Sequence, residues 1–257
     1  QFMSYCQGEY IIKSKKNLAK NCYDITVFCP DMAEQAQAGQ FVHIRIKGFS
    51  LRRPISICQI DRKNGLLRLV FEVRGAGTQA MADWNTGDMI DLIGPLGHGF
   101  TLLDPDKKAI VVGGGIGTPP MLEVADHYKQ NATAIIGFRS AEAVILAEDF
   151  ENVSPTVICT DDGTKGTHGY VTTALEKVLK AQSADIIYAC GPHPMLKGIA
   201  ALAEKYHISC EVSLEERMGC GVGACLVCAC KTVKNSKEYM AHVCKDGPVF
   251  NAKEVIL

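Results

Sequence analysis

Four cysteines near the carboxyl end of the chain have the residue type and spacing of iron–sulfur cluster ligands. Cys220, Cys225 and Cys228 follow a C-x4-C-x2-C pattern, and Cys244 comes after a further fifteen residues. This is one of the spacings that hold a [2Fe-2S] cluster, in which four thiolates surround two irons. A structural zinc site also uses four thiolates, but zinc ribbons favour paired C-x2-C knuckles. The sequence therefore predicts a [2Fe-2S] cluster at these four residues, with structural zinc as the alternative.

Two further segments carry groups that suit a flavin dinucleotide. Arg53-Pro54-Ile55-Ser56 places a cation and a hydroxyl at the start of a β-type run. An arginine there can clamp a diphosphate with two hydrogen bonds, and the serine can bond the edge of a flavin ring. In Gly75-Ala76-Gly77-Thr78, the backbone N–H groups and the threonine hydroxyl could bind the same diphosphate where a helix begins. A basic surface turn and a helix cap by Thr78 are the respective alternatives.

A glycine-rich run, Gly113-Gly114-Gly115-Ile116-Gly117-Thr118, lies where a parallel strand is expected to end and a helix to begin. Open α/β sheets bind dinucleotide pyrophosphates at this place. Thr118 stands where the G-x-G-x-x-G fingerprint has its third glycine. We therefore expect Gly114, Gly115, Gly117 and Thr118 to bind a nicotinamide dinucleotide. Cys190 lies at the same edge and could face the nicotinamide ring or simply pack; no neighbouring histidine marks it as a nucleophile.

The pattern of predicted secondary structure that must position these groups changes along the chain. Short β-type runs at hairpin spacing predict a small antiparallel barrel before about residue 100. These runs are Ile25–Cys29, Phe41–Ile46, Ile55–Ile60 and Leu66–Val73. Asn64-Gly65 predicts a two-residue type I′ hairpin, and Gly94-Pro95-Leu96-Gly97 a tight loop that closes the barrel.

From Lys107 onward, apolar β-rich runs alternate with helical stretches, which predicts a doubly wound parallel sheet. The runs are Ala109–Val112, Ala132–Ile136, Thr156–Cys159 and Asp185–Ala189, and the helices include Pro120–Gln130 and Tyr170–Ala181. The cysteine-dense segment from Ser209 is too small for a core of its own, so a metal centre should organise it. The expected regions are a flavin barrel at 1–102, a nicotinamide domain at 103–208 and a cluster module at 209–257.

Composition excludes several other classes of protein. The chain has 257 residues, with 27 basic against 28 acidic side chains, so it lacks the basic field that holds nucleic acid. No apolar run approaches a bilayer span and the first residues do not read as a signal peptide, so we expect a cytoplasmic protein without a membrane partner. Of the 12 cysteines, those outside the carboxyl-terminal group are scattered and are interpreted as small buried hydrophobes.

The order of these motifs resembles a known family. R-R-P-I-S, G-x-G-T, G-G-G-I-G-x-P-P, C-G-P, E-E-R-M-G-C-G-x-G-A-C-x-x-C and V-C-x-D-G-P-V-F succeed one another along the chain. This order is similar to that of the electron-transfer subunits of NAD-linked dihydroorotate dehydrogenases, within the ferredoxin reductase superfamily. The resemblance implies cluster ligation by the four cysteines and a set of FAD contacts. Those contacts are Arg53, Pro54, Ile55, Ser56, Val70, Phe71, Glu72, Gly77 and Thr78.

A chain with these cofactors would be an electron carrier. Nicotinamide chemistry moves two electrons as a hydride and a [2Fe-2S] cluster accepts one, so a flavin must stand between them. The resemblance implies a path from NADH through FAD and the cluster to the FMN of a separate catalytic subunit, with the net flow reversed in pyrimidine synthesis. It also implies a heterotetramer of two plus two subunits. The chain is too short to add a TIM-type barrel of about 250 residues, so it should not oxidise dihydroorotate alone.

Two alternatives and one specificity question accompany this expectation. The same cofactors could serve a hydrogenase or a ferredoxin-coupled reductase, or the cysteines could form a non-catalytic zinc module. Arg139-Ser140 follows the second parallel strand and could accept a 2′-phosphate, whereas NAD sites usually offer an acidic partner there. The resemblance favours NAD.

Overall fold

The computed structural model describes residues 5–234 and 236–257. Its amino-terminal region is built on six strands: β1 (Cys6–Ala19), β2 (Cys22–Phe28), β3 (Phe41–Arg45), β4 (Arg53–Asp61), β5 (Leu66–Glu72) and β6 (Met89–Leu96). They close an antiparallel barrel in the order β1-β2-β5-β4-β3-β6. Two short helices, α1 (Pro30–Gln35) and α2 (Ala76–Ala82), lie between strands. The predicted antiparallel barrel is confirmed.

The barrel interior is filled by alternate side chains of its strands. Val42 and Ile44 of β3 are fully buried in this core, together with Ile25 of β2 and Leu67 and Leu69 of β5. Because side chains alternate across a strand, the intervening residues of β3 point out of the barrel. This outward face is available to contact the rest of the molecule.

Two local predictions for the barrel are wrong. Asp61 pairs with Leu66, so the connection contains four residues, and only Gly65 of the Asn64-Gly65 pair has a positive φ. Asp61 accepts hydrogen bonds from the backbone and side-chain N–H groups of Asn64 at 3.0 and 2.7 Å, which stabilises this longer turn. The segment predicted as a closing loop, Gly94–Leu96, belongs to β6, because this strand pairs with β1 and β3 on its two sides.

A seven-stranded sheet follows, with helices on both faces. Its strands are β7 (Ala109–Gly114), β8 (Ala132–Phe138), β9 (Thr156–Thr160), β10 (Thr167–His168), β11 (Ile186–Cys190), β12 (Ser209–Ser213) and, later in the chain, β15 (Val249–Asn251). The helices are α3 (Pro119–Tyr128), α4 (Ala147–Val153), α5 (Val171–Ala181) and α6 (His193–Lys205). The order is β10-β9-β8-β7-β11-β12-β15, parallel except for β15. The predicted doubly wound sheet is confirmed.

The sequence explains this arrangement. Every residue of β7 is buried, as expected of a central parallel strand covered on both faces. Helix α3 starts with Pro119 and Pro120. Proline has no backbone N–H, and the first turn of a helix needs none for its internal hydrogen bonds, so proline suits this position. Helix α5 buries Val171, Ala174 and Leu175 at the three- to four-residue spacing of an amphipathic helix.

The carboxyl-terminal segment is joined to this sheet. Strands β12 and β15 are part of it, whereas β13 (Ala229–Lys234) and β14 (Lys237–His242) form a separate antiparallel pair. The loop with the first three cluster cysteines lies between β12 and β13. The boundary at residues 208 and 209 stays a prediction, and the segment that follows it begins within the sheet.

The barrel and the sheet pack directly on each other. Cys58 and Val70 of the barrel share one apolar core with Met121 and Leu122 of α3. The Glu123 carboxylate accepts a hydrogen bond from the Ile60 backbone N–H at 3.0 Å. These contacts hold strands β4 and β5 against the helix that follows the glycine-rich loop. Within the described residues, no helix has the length and apolar character needed to cross a membrane.

Candidate redox site

The cluster cysteines lie on a loop whose backbone turns toward their sulfur atoms. The N–H groups of Val222 and Ala224 donate to the Cys220 sulfur at 3.5 and 3.2 Å, and that of Gly223 donates to the Cys244 sulfur at 3.2 Å. Gly223 has φ of +79°, a conformation that favours glycine. The loop therefore presents N–H donors to thiolates, as iron–sulfur sites do.

The cluster cysteines influence one another in two pairs. Cys225 contributes to lowering the pKa of Cys220, and Cys228 contributes to raising the pKa of Cys244. Among the described residues, no group of three or more histidine, cysteine or acidic side chains is placed to hold a single metal ion. Four cysteine thiolates, three on one loop and one at Cys244, are the donor set of a [2Fe-2S] cluster.

The two pairs differ in their surroundings. Burial tends to raise the pKa of Cys220, but the loop N–H groups and Cys225 lower that pKa to about 7. Burial and the neighbouring Cys228 raise the pKa of Cys244 to about 12. Cys228 and Cys244 share an apolar core with Phe41 of the barrel. Cys220 and Cys225 are thus partly exposed, whereas Cys228 and Cys244 are buried.

Arg53 and Gly77, which are separate in sequence, meet in the structure. A Cβ atom built on Gly77 would lie 2.7 Å from Nε and Nη2 of Arg53, so the guanidinium rests directly on the backbone of α2. Within the part of the chain that is described, Arg53 forms no ion pair, whereas Arg52 pairs with Asp91 at 2.8 Å. Arg53 also lies over the Phe49 ring, 5.6 Å from its centroid. A cation held beside helix-start N–H groups fits the diphosphate of a dinucleotide.

Five other predicted flavin residues lie on strands β4 and β5. Pro54, Ile55 and Ser56 are partly exposed on β4. On β5, Val70 is buried, and the Phe71 ring lies in the barrel core, stacked on Tyr23 at 5.7 Å. The Phe71 ring is therefore not available to a ligand.

Glu72 and Thr78 have partners within the protein. The Glu72 carboxylate accepts a hydrogen bond from Arg74 at 2.8 Å. The Thr78 hydroxyl accepts hydrogen bonds from the Arg74 and Gly75 N–H groups at 2.9 and 3.2 Å. The alternative with Thr78 as the N-cap is wrong, because Gly75 is the N-cap and Thr78 lies three residues into the helix start, where its hydroxyl bonds back to these N–H groups.

The glycine-rich loop is packed tightly on one side and open on the other. Gly114 ends β7, and a 3₁₀ turn covers Gly115–Gly117. A Cβ atom on Gly117 would lie 2.6 Å from the Cys190 carbonyl oxygen, whereas one on Gly115 would meet nothing within 4 Å. The Thr118 hydroxyl is buried without a hydrogen-bond partner among the described residues. An open glycine edge beside an unused hydroxyl fits a dinucleotide.

Cys190 ends β11 beside this loop. Its strand neighbours are Gly113 on β7 and Ser213 on β12. Burial, with a smaller contribution from Glu215, raises the pKa of the Cys190 thiol to about 12. The thiol is therefore neutral at physiological pH, and its placement beside a nicotinamide ring stays a prediction.

Two groups at this site could not be predicted from the sequence. His43 on β3 is fully buried, and burial and nearby Arg52 lower its pKa to about 4, so the ring is neutral. Met195 contacts the backbone of Gly114 and Gly191, so α6 closes the glycine-rich loop from one side. A histidine within an apolar β-type run carries no spacing signal, and neither does a methionine in a helix.

A flavin-type barrel, a nucleotide-type sheet and a four-cysteine loop together define an NAD-linked flavoprotein reductase with an iron–sulfur module. The family model of the iron–sulfur cluster binding domain of dihydroorotate dehydrogenase B matches residues 215–256. That of the oxidoreductase NAD-binding domain matches residues 111–201. These matches favour a cluster over structural zinc.

Relatives of known function match over nearly the whole chain. The electron transfer subunit of dihydroorotate dehydrogenase B (NAD(+)) from Geobacillus kaustophilus is 41% identical, and the match covers 96% of this chain and 97% of that protein. The corresponding subunit from Bacillus cereus strain B4264 is 38% identical with the same coverage. The chain belongs to the family of electron transfer subunits of dihydroorotate dehydrogenase B. Its cofactors are FAD, NAD(H) and a [2Fe-2S] cluster.

Solved structures share the fold. A chain from the NADH-dependent reduced ferredoxin-NADP oxidoreductase, described in a study of flavin-based electron bifurcation, superposes with a TM-score of 0.85. It is 30% identical, and the match covers 96% of this chain and 89% of that one. The ferredoxin reductase of carbazole 1,9a-dioxygenase has a TM-score of 0.69 at 17% identity, covering 80% of this chain and 67% of that one, which indicates the fold alone.

Proposed function

We propose that this chain carries electrons between NAD(H) and the FMN of a separate dihydroorotate dehydrogenase catalytic subunit. The observation that carries the proposal is the placement of the four cysteines. Cys228 and Cys244 pack in one apolar core with Phe41 of the barrel, so the cluster loop lies directly against the barrel that carries Arg53. When bound, FAD supplies the exchange between two-electron hydride chemistry and one-electron transfer.

The protein's own groups bind and orient the cofactors. Arg53 provides the cation for the FAD diphosphate, and Ser56 the hydroxyl for the ring edge, in the proposed site. The remaining FAD contacts would come from Pro54, Ile55, Val70, Phe71, Glu72, Gly77 and Thr78. Gly114, Gly115, Gly117 and Thr118 would hold the nicotinamide dinucleotide, with the neutral Cys190 thiol beside its ring. Cys220, Cys225, Cys228 and Cys244 would ligate the cluster.

The cluster loop also offers a route to a partner. Leu226 and Val227, between two of the proposed ligands, are 77% and 56% exposed. Exposed apolar side chains next to a redox centre suit a protein contact. We infer that the catalytic subunit covers this loop in a cytoplasmic complex of two plus two subunits, and that the regions 1–102, 103–208 and 209–257 serve FAD, NAD(H) and the cluster.

We favour NAD over NADP. Arg139 is exposed after β8, but Asp161 and Asp162 follow β9 beside it, and the Asp162 N–H donates to the Arg139 carbonyl at 3.3 Å. Carboxylates at this edge can accept hydrogen bonds from a free ribose hydroxyl and would repel a 2′-phosphate. A much higher kcat/KM for NADPH than for NADH in flavin reduction would contradict this choice.

A second candidate keeps the cofactors and changes the partner. It is a reductase subunit that serves a ferredoxin-coupled enzyme, and the 30% identity to a chain of the NADH-dependent reduced ferredoxin-NADP oxidoreductase supports it. The 41% identity to a dihydroorotate dehydrogenase subunit favours the first candidate.

Affinity capture with the tagged chain tests the choice of partner. We expect an FMN-containing catalytic subunit to be captured, and dihydroorotate-dependent NAD⁺ reduction to require both chains. The isolated chain should reduce its flavin with NADH but leave dihydroorotate unchanged. Conversion of dihydroorotate by the isolated chain would contradict the proposal.

A further inference from the structure

His43 lies where the barrel meets the cluster loop. It pairs across the sheet with Pro54 of the proposed flavin strand β4. Its neighbours Val42 and Ile44 point into the barrel core, so His43 points outward. Phe41, on the same outward face, belongs to the same apolar core as two of the cluster cysteines, Cys228 and Cys244. The imidazole is therefore on the side of the barrel that carries the cluster loop.

The imidazole contacts the loop backbone directly. Gly221, next to Cys220, has φ of +75°. A Cβ atom built there would collide with Nδ1 of His43 and lie 3.0 Å from its Cε1. No side chain of residue 221 stands between the ring and the loop. His43 thus spans the space between strand β4 and the segment that holds Cys220.

The ring is buried without a hydrogen bond. His43 has 0% relative exposure, and neither ring nitrogen has a partner at hydrogen-bond distance and angle among the described residues. The backbone carbonyls of Cys220 and Arg52 tend to raise the pKa of His43, but burial outweighs them and lowers it. Buried polar groups in native proteins are normally paired, so an unpaired imidazole at a redox junction calls for a functional reason.

We propose that His43 is a positioning residue that fixes the cluster loop relative to the flavin strand, with a ring nitrogen reserved for an acceptor that the bound cofactors supply. This inference rests on the proposed function and names a residue that couples its two redox centres. Groups in the outer shell of a metal centre orient its ligands and tune its potential. His43 occupies such a place through the backbone of Gly221 and Cys220.

Three variants of the flavin- and cluster-containing protein test the proposal. His43→Leu removes the hydrogen-bonding nitrogens but keeps most of the volume, and His43→Gln restores a polar group. His127→Leu is the control, because His127 is a partly buried histidine on α3 that bonds the Leu103 carbonyl at 2.8 Å. For each protein, flavin and iron content, the rate of flavin reduction by NADH and the rate of cluster reduction would be measured. The electron paramagnetic resonance spectrum and midpoint potential of the cluster complete the set.

In His43→Leu we expect the rate of flavin reduction to stay that of the wild type, while the subsequent one-electron reduction of the cluster slows by roughly 10-fold or more. The spectrum and potential of the cluster should shift in the same variant. His43→Gln should recover most of both, and His127→Leu should match the wild type. If His43→Leu loses its cluster, recovery of cluster content and rate in His43→Gln supports the proposal.

Two results would overturn the inference. One is a wild-type cluster rate, spectrum and potential in His43→Leu, and the other is equal impairment of His43→Gln and His43→Leu. These results differ from those expected if the proposed function is wrong. In that case the wild-type protein itself would not pass electrons from NADH to the cluster, and the inference about His43 would be wrong as well.

Discussion

Replacing Gly77 by alanine should weaken FAD binding without destabilising the protein. The new Cβ atom would lie 2.7 Å from two guanidinium atoms of Arg53, which are the flexible end of that side chain and can move away. Gly77 lies inside α2, where alanine is favoured over glycine by about 1 kcal/mol. The substitution therefore leaves the fold intact and displaces the cation that we assign to the diphosphate.

The expected magnitude follows from the hydrogen bonds that Arg53 would lose. Hydrogen bonds to charged groups contribute about 1.5–3 kcal/mol, which corresponds to a rise in the Kd for FAD of about 10- to 150-fold. The thermal unfolding midpoint of the FAD-free protein should be unchanged or higher. Affinity for FAD is measured by flavin fluorescence and the midpoint by circular dichroism.

Gly75→Ala is the matched control. A Cβ atom on Gly75 meets nothing within 4 Å, and its φ of −176° is accessible to alanine. This variant should bind FAD like the wild type, and the change from glycine at the N-cap should cost less than about 1 kcal/mol. Wild-type affinity in Gly77→Ala would refute the reasoning that Gly77 seats Arg53 against the flavin.

Three further changes test other parts of the account. Gly117→Ala should raise the KM for NADH and lower the free energy of unfolding in urea by about 1–3 kcal/mol. The reason is that its Cβ would lie 2.6 Å from the Cys190 carbonyl oxygen, a backbone atom that cannot move at low cost. Wild-type values of both quantities would contradict this packing. Leu226→Glu should weaken capture of the catalytic subunit and leave flavin reduction by NADH unchanged, since the side chain is 77% exposed; undiminished capture would exclude this loop from the interface. The free energy of unfolding should fall as the pH rises from 9 to 12, because burial raises the pKa of Cys29 to about 12 and unfolding releases that proton at lower pH. Cys29→Ala should make this fall shallower, and an identical pH profile would contradict the assignment.

Much of the fold could be predicted because the signals were local. The β-type runs around Phe41 and Leu66 and the apolar run at Ala109 contain their own periodicity, and each forms a strand close to the expected limits. The helix after the glycine-rich loop starts at Pro119, one residue before the expected Pro120. The cluster cysteines were recognisable because ligand spacing is a property of the sequence itself.

The rest depends on competing local hydrogen bonds or on contacts between distant segments. Asn64-Gly65 favours a two-residue turn, but hydrogen bonds from Asn64 to the Asp61 side chain stabilise a four-residue turn in its place. Strand β15 pairs with β12, although Val249 lies thirty-six residues after Ser213 in the chain. The short sequence of β15 contains no pattern that predicts this partner. His43 is distinguished only by its contact with Gly221, which no pattern near residue 43 encodes.

The most direct test of the central claim is an anaerobic titration of the purified protein with NADH, followed by electron paramagnetic resonance. We predict that the flavin bleaches and that the rhombic signal of a reduced [2Fe-2S] cluster then appears, with about two irons per chain. The account would be contradicted by a protein whose flavin bleaches while no such signal develops, with NADH or with dithionite.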